Sequence, residues 1–170
     1  MLTDFLSYFE FFWQERIITM STYGLSREYP FSFETVLKLL PKELRKKGFD
    51  ILSSCDINDT FREFLGISFK RYTIFSVANL PLSYKALQRE ELFGLVLPCN
   101  VAVFEKEGST VVAALNLRSF MHIINNENLN EGAAIIERKL HEVLESLEKK
   151  KERIQKGRAA LPRKFEKAVA

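Results

Sequence analysis

The sequence predicts an α+β fold in a single domain. Three observations point there. Runs rich in β-branched and aromatic residues, such as KRYTIFSVA at residues 70–78, alternate with stretches whose apolar residues recur at helical spacing. GLVLPCNVAVF, residues 94–104, is apolar on both faces, as a strand inside a sheet is. Glu107-Gly108 follows as a tight turn, so the next strand, residues 109–115, should return antiparallel.

The elements follow in order. Residues 17–29 read as one long first strand, with Gly24 a candidate bulge. Pro30 and Ser32 interrupt it, and Ser32 is suited to cap a helix. Phe33, Val36, Leu37, Leu40 and Leu44 then make one helical stripe. Arg45, Lys46 and Lys47 fall in its last turn, where cations suit the helix dipole, and Gly48 follows as the C′ residue. Pro41 inside this stripe should kink the helix or start a second one. Residues 49–57 read as a short strand, then Asp56 or Asn58 caps a short helix stopped by Gly66. Residues 70–78 are the third strand. Asn79-Leu80-Pro81 turns the chain into a helix over residues 82–91, with Tyr84, Leu87 and Leu92 expected inward. The strand over 94–104 and its hairpin partner come next, then a helix around 117–124. A last helix runs from about Asn130 towards Arg153, with Ile135, Ile136, Leu140, Val143, Leu144 and Leu147 facing in.

The composition narrows the class. The chain has 170 residues, 46% hydrophobic and 28% charged, with only 7 Gly and 5 Pro, which excludes collagen-like, low-complexity and wholly disordered chains. Its net charge of +3 is unevenly spread. Residues 149–170 carry nine basic side chains (Lys149, Lys150, Lys151, Arg153, Lys156, Arg158, Arg163, Lys164, Lys167) against Glu152 and Glu166, a net +7, which leaves −4 for residues 1–148. A net-acidic body is a poor nucleic-acid binder, whereas the Lys149–Lys167 tail suits a protein, RNA or anionic membrane contact. The division is an aromatic N-terminal helical extension (1–16), an α+β domain (17–148) and a basic tail (149–170). In the extension, Leu2, Phe5, Leu6, Phe9, Phe12 and Trp13 share one helical face that should pack on the domain or on a second subunit. It carries Asp4, Glu10 and Glu15, too many charges for a membrane span, and no signal-peptide pattern.

Chemistry is sparsely marked. Cys55 and Cys99 form neither a CxxC motif nor a disulfide scaffold and read as reduced thiols of a cytoplasmic protein. His122 and His141 lack the neighbours of a zinc site. No GxGxxG, GxxxxGK, HExxH or GxSxG occurs. Cys99, between Pro98 and Asn100, could be a nucleophile only with a base or cation to lower its pKa; the competing reading is a small buried thiol beside a strand irregularity. Asn100 could bond the backbone groups left by Pro98. Asn79, Tyr84 and Lys85 could line a pocket at a strand end with Cys99. Equally, Asn79 is suited to cap a helix, Tyr84 to the core and Lys85 to solvent.

One further pattern spans residues 72–115, YTIFSVANLPLSYKALQREELFGLVLPCNVAVFEKEGSTVVAAL. Its Tyr-x-Ile strand, its Asn and Pro before Tyr-Lys-Ala-Leu, and above all its Leu-Pro-Cys-Asn-Val strand resemble the domain-of-unknown-function 302 family. An upstream FSFETV…GFDILSSCDI segment extends the resemblance over about 17–148. Leu80 between Asn79 and Pro81, Pro41, the aromatic N-terminal segment and the basic tail depart from the pattern. The resemblance implies a mixed, mostly antiparallel sheet with helices packed on it and a long C-terminal helix, in chains that pair as dimers. It supplies no activity, so no catalytic residue and no cofactor carry over. Three readings stand: a dimeric ligand-binding or accessory module, with a pocket of Asn79, Tyr84, Lys85, Cys99 and Asn100; a thiol enzyme or redox sensor centred on Cys99; and an interaction protein using its two extensions.

Overall fold

Alternation of side chains builds the sheet. In Tyr72–Ala78, the residues Thr73, Phe75 and Val77 are buried while Tyr72, Ile74 and Ser76 are half-buried on the other face. Cys99, Val101 and Val103 repeat the pattern in the neighbouring strand. The structure, a computed structural model, describes residues 19–159; residues 1–18, which hold the aromatic segment and the first two residues of the expected first strand, and residues 160–170 lie outside it.

The strands are β1 (Thr19–Met20), β2 (Gly24–Tyr29), β3 (Asp50–Asp56), β4 (Tyr72–Ala78), β5 (Cys99–Lys106) and β6 (Ser109–Leu115). The helices are α1 (Phe33–Lys46), α2 (Ile57–Leu65), α3 (Leu80–Arg89), the one-turn α4 (Met121–Ile124) and α5 (Asn130–Ala159), with short 3₁₀ turns at Glu91–Leu95, Leu117–Phe120 and Glu127–Leu129. The sheet order is β1-β2-β6-β5-β4-β3, and every neighbouring pair is antiparallel. The mostly antiparallel sheet of the sequence reading is thus antiparallel throughout the described residues.

One face of the sheet carries the core. The stripes of α1 (Phe33, Val36, Leu40, Leu44) and α5 (Ala133, Ile136, Leu140, Val143, Leu144, Leu147) close over Leu25, Val77, Val101, Val103, Val112 and Ala114. Polar contacts join the two helices. Lys47 Nζ donates to Glu142 Oε2 at 2.7 Å, and Lys139 Nζ donates to the Lys47 carbonyl at 2.8 Å. The Glu142 carboxyl is held below its ordinary range, first by the hydrogen bond from Lys47. Capping follows the sequence signals: Ser32 Oγ accepts from the Thr35 amide, Asp56 Oδ1 from Asp59, and Asn79 Oδ1 from Leu82.

Several local expectations give way. The single first strand is two, because Ser21 turns the chain: its amide donates to the Gly24 carbonyl at 2.9 Å and its Oγ accepts from the Gly24 amide at 3.0 Å. Gly24 therefore opens β2 rather than forming a bulge; the ladder irregularity lies in β3, between Ile51 and Ser53. Pro41 starts no second helix, since α1 is continuous from Phe33 to Lys46. Burial of Leu40 and Leu44 on either side outweighs the one helix bond that proline cannot donate. The strand expected from Gly94 begins only at Cys99, after the cis Leu97–Pro98 bond. Pro98 has no N–H for the ladder, and residues ahead of it form the 3₁₀ turn, with Leu92 and Leu95 turned outward. Tyr84 and Leu87 also face out.

The β5–β6 hairpin turns at Gly108, whose φ is +67° with open space where a Cβ would stand. Gly108→Val should therefore lower stability by roughly 1–2 kcal/mol through backbone strain alone, not through a clash. Thermal unfolding of the variant tests this; an unchanged midpoint would mean that the turn tolerates a β-branched residue.

Candidate functional site

The ends of β4 and β5 meet at the last rung, where Val77 pairs with Cys99. Both side chains point to the core face and are buried. Here the sheet stops short of the helices, and a pocket of about 170 Å³ opens between α3, the 3₁₀ turn at Glu91–Leu95 and the first turns of α5. Its floor and walls are mostly apolar: Leu82, Ala86, Phe93, Leu97, Leu117, Leu129, Ala133 and Ile136, with the Cys99 thiol among them. Lys85, Arg89 and Glu131 stand at its border, all exposed. Small residues on α5 leave the room: a Cβ on Gly132 would meet no atom within 4 Å.

The structure brings three of the five proposed pocket residues here. Asn79, Lys85 and Cys99 line the cavity. The Asn79 amide is already used at both ends, its Nδ2 donating to the Gly48 carbonyl at 2.8 Å while its Oδ1 caps α3. It therefore shapes the wall. Tyr84 does not line the pocket. It sits on the outer side of α3, 65% exposed, and its hydroxyl accepts from Gln88 Nε2 at 2.9 Å. Asn100 is a neighbour of Cys99 in sequence only, because strand alternation turns it to the opposite face of the sheet. There it accepts from Ser76 Oγ at 3.4 Å and does not serve the backbone beside Pro98.

The electrostatics oppose thiol chemistry. Cys99 is 3% exposed, and burial pushes its pKa up to about 12, so the thiol stays protonated. His122 is exposed on α4, and among the described residues no group of three His, Cys, Asp or Glu side chains could hold a metal. A native thiol titration should find Cys55, which is exposed, and leave Cys99 unmodified until unfolding. Modification of Cys99 at the rate of free cysteine would overturn this. Cys99→Ser should cost roughly 1–3 kcal/mol, since an unpaired hydroxyl would replace a thiol in an apolar wall.

Sequence reasoning missed the far wall. Leu117, Leu129, Ala133 and Ile136 come from segments remote in sequence, and as apolar residues they carry no chemical signature. The Gly132-Ala133-Ala134 run at the start of α5 is the one sequence trace of the space.

The family model for the domain of unknown function DUF302 matches residues 25–147. The chain belongs to this family. It is also similar to the crystal structure of an uncharacterized conserved DUF302 protein from Bacillus stearothermophilus, with a TM-score of 0.69 and 23% identity, covering 74% of this chain and 98% of that one. No curated protein matches. The DUF302 match and the structural likeness establish the α+β fold and leave the activity open. Among the described residues no helix is long and apolar enough to cross a membrane.

Proposed function

We propose that this DUF302 protein is a small-molecule-binding module, working as a homodimer in a reducing compartment and performing no chemistry itself. The pocket between α3 and α5 carries the reading. Its 170 Å³ is comparable to the roughly 150 Å³ apolar cavity that accepts benzene in an engineered protein. A ring or short acyl chain is the matching guest. Lys85 and Arg89 at the border, against Glu131, favour a ligand with an acidic end. Pairing would use the outer edge of β3, an edge strand of the sheet among the described residues, and the exposed Phe64, Leu65 and Ile67 beside it.

Calorimetric titration with octanoate, and with octanol as the uncharged control, tests this. Octanoate should bind more tightly, and Ala133→Phe, which fills the pocket, should abolish binding while the far-ultraviolet dichroism is kept. Failure of both compounds to bind, or undiminished binding by Ala133→Phe, would sink the reading.

A further inference from the structure

The far face of the sheet is apolar at its middle. Register places Ile74, Ala102, Ala113 and Ser26 on one rung, next to a rung of Tyr72, Phe104, Val111 and, towards the β1 edge, Glu28. Tyr72 and Phe104 stack at 5.2 Å between centroids. None of these apolar side chains belongs to the core cluster that α1 and α5 cover. The helix α2 reaches this face at its β3–β4 side through Phe61, and the loop after it adds Phe69 next to Tyr72 and the Lys70 ammonium, 4.5 Å from the Phe104 ring centroid. Val111 is 8% exposed and yet outside the core cluster.

We propose that residues 1–16 of the same chain lie across this face, with Phe5, Phe9, Phe12 and Trp13 against Ile74, Ala102, Phe104 and Ala113. Two observations choose this occupant. The described chain begins at Thr19, on the edge strand β1 opposite Ser26, which is level with the apolar rung. The reach also fits: five interstrand steps from β1 to β3 come to about 24 Å, and sixteen residues at helical rise span about 24 Å. The small Ala102 and Ala113 leave room for large rings, and burying the two apolar surfaces against each other removes both from water. The segment would then be the third layer of the domain, which makes the sheet a buried central layer.

Trp13 is the one tryptophan of the chain and reports on this directly. In the full-length protein its emission should be blue-shifted and shielded from acrylamide, with no dependence on protein concentration. Ala113→Glu on the sheet and Phe9→Glu on the segment should each shift it red, and the double variant should add nothing further. Phe9→Glu leaves the described core untouched, so it keeps the test valid if Ala113→Glu misfolds. Solvent-like emission in the parent protein would overturn the proposal. So would emission indifferent to Ala113→Glu in a folded variant, blue emission that appears only as concentration rises (a second copy on the face), or one that appears only with anionic vesicles.

Discussion

Tyr29→Ala should cost about 3–5 kcal/mol, a large part of the stability of a domain this size. Tyr29 is the last residue of β2 and is 1% exposed. Its ring lies nearly parallel to Phe31 at 6.4 Å between centroids, and its hydroxyl donates to the Leu144 carbonyl at 2.6 Å. That bond ties an early strand to the last helix across 115 residues of chain. Burial pushes the phenol well above its ordinary pKa, so the hydroxyl stays protonated and a donor at neutral pH. Tyr29→Phe separates the two contributions. It keeps the ring and should cost only about 1–2 kcal/mol, the loss of one buried hydrogen bond. Urea unfolding of the three proteins measures both steps. If Phe and Ala prove equally harmful, the hydroxyl carries the site; if Phe is silent, the Leu144 bond contributes nothing net.

Much of this architecture was legible in the sequence because periodicity reports burial. The Phe33–Leu44 stripe and the Ile136–Leu147 stripe are the faces that close the core, and the alternation in Tyr72–Ala78 gives its inner face residue by residue. Glycines read equally well: Gly48, Gly66 and Gly108 all adopt positive φ where turns or helix ends were expected. The failures share a cause. Tyr84, Leu87 and Leu92 looked like core because they are apolar, but an amphipathic pattern does not say whether a partner exists to cover it. Two of the five residues read as a pocket, Tyr84 and Asn100, lie away from the cavity on the same ground. Adjacency in sequence suggested that Cys99 and Asn100 act together, whereas adjacent strand residues face opposite ways. Contacts from α5 to that site are tertiary, and nothing local encodes them.

The Glu43 carboxylate should make stability depend on pH, and Glu43→Gln should remove that dependence. Glu43 is 3% exposed on the inner side of α1. Lys46 Nζ reaches its Oε1 at 3.0 Å from one turn on, and Lys150 Nζ contacts the same oxygen from α5. Burial pushes the carboxyl up, but the hydrogen bonds from Lys150 and Lys46 outweigh it together, and the net pKa lies below the usual carboxylate range. A carboxylate whose pKa is lowered by folding stabilises the folded state above its unfolded pKa, about 4.3. That contribution fades as pH falls through the lower folded value. Because both lysines keep some solvent access, the loss in Glu43→Gln at pH 7 should be about 1–2 kcal/mol rather than the 3–5 of a fully buried broken pair. Below the lowered folded pKa the parent and variant should converge. Denaturant titrations at pH 7 and pH 3 test this, and an equal gap at both would show that shape and not charge sets the role of Glu43. The same pair also marks where the basic tail begins to serve the fold. Lys150 lies two residues past the −4 body defined by charge, yet α5 continues through it and delivers its ammonium to α1. Truncation from residue 150 should therefore leave Glu43 buried with Lys46 alone, raise its pKa and weaken the pH dependence, whereas truncation from residue 156, which keeps Lys150, should leave it intact.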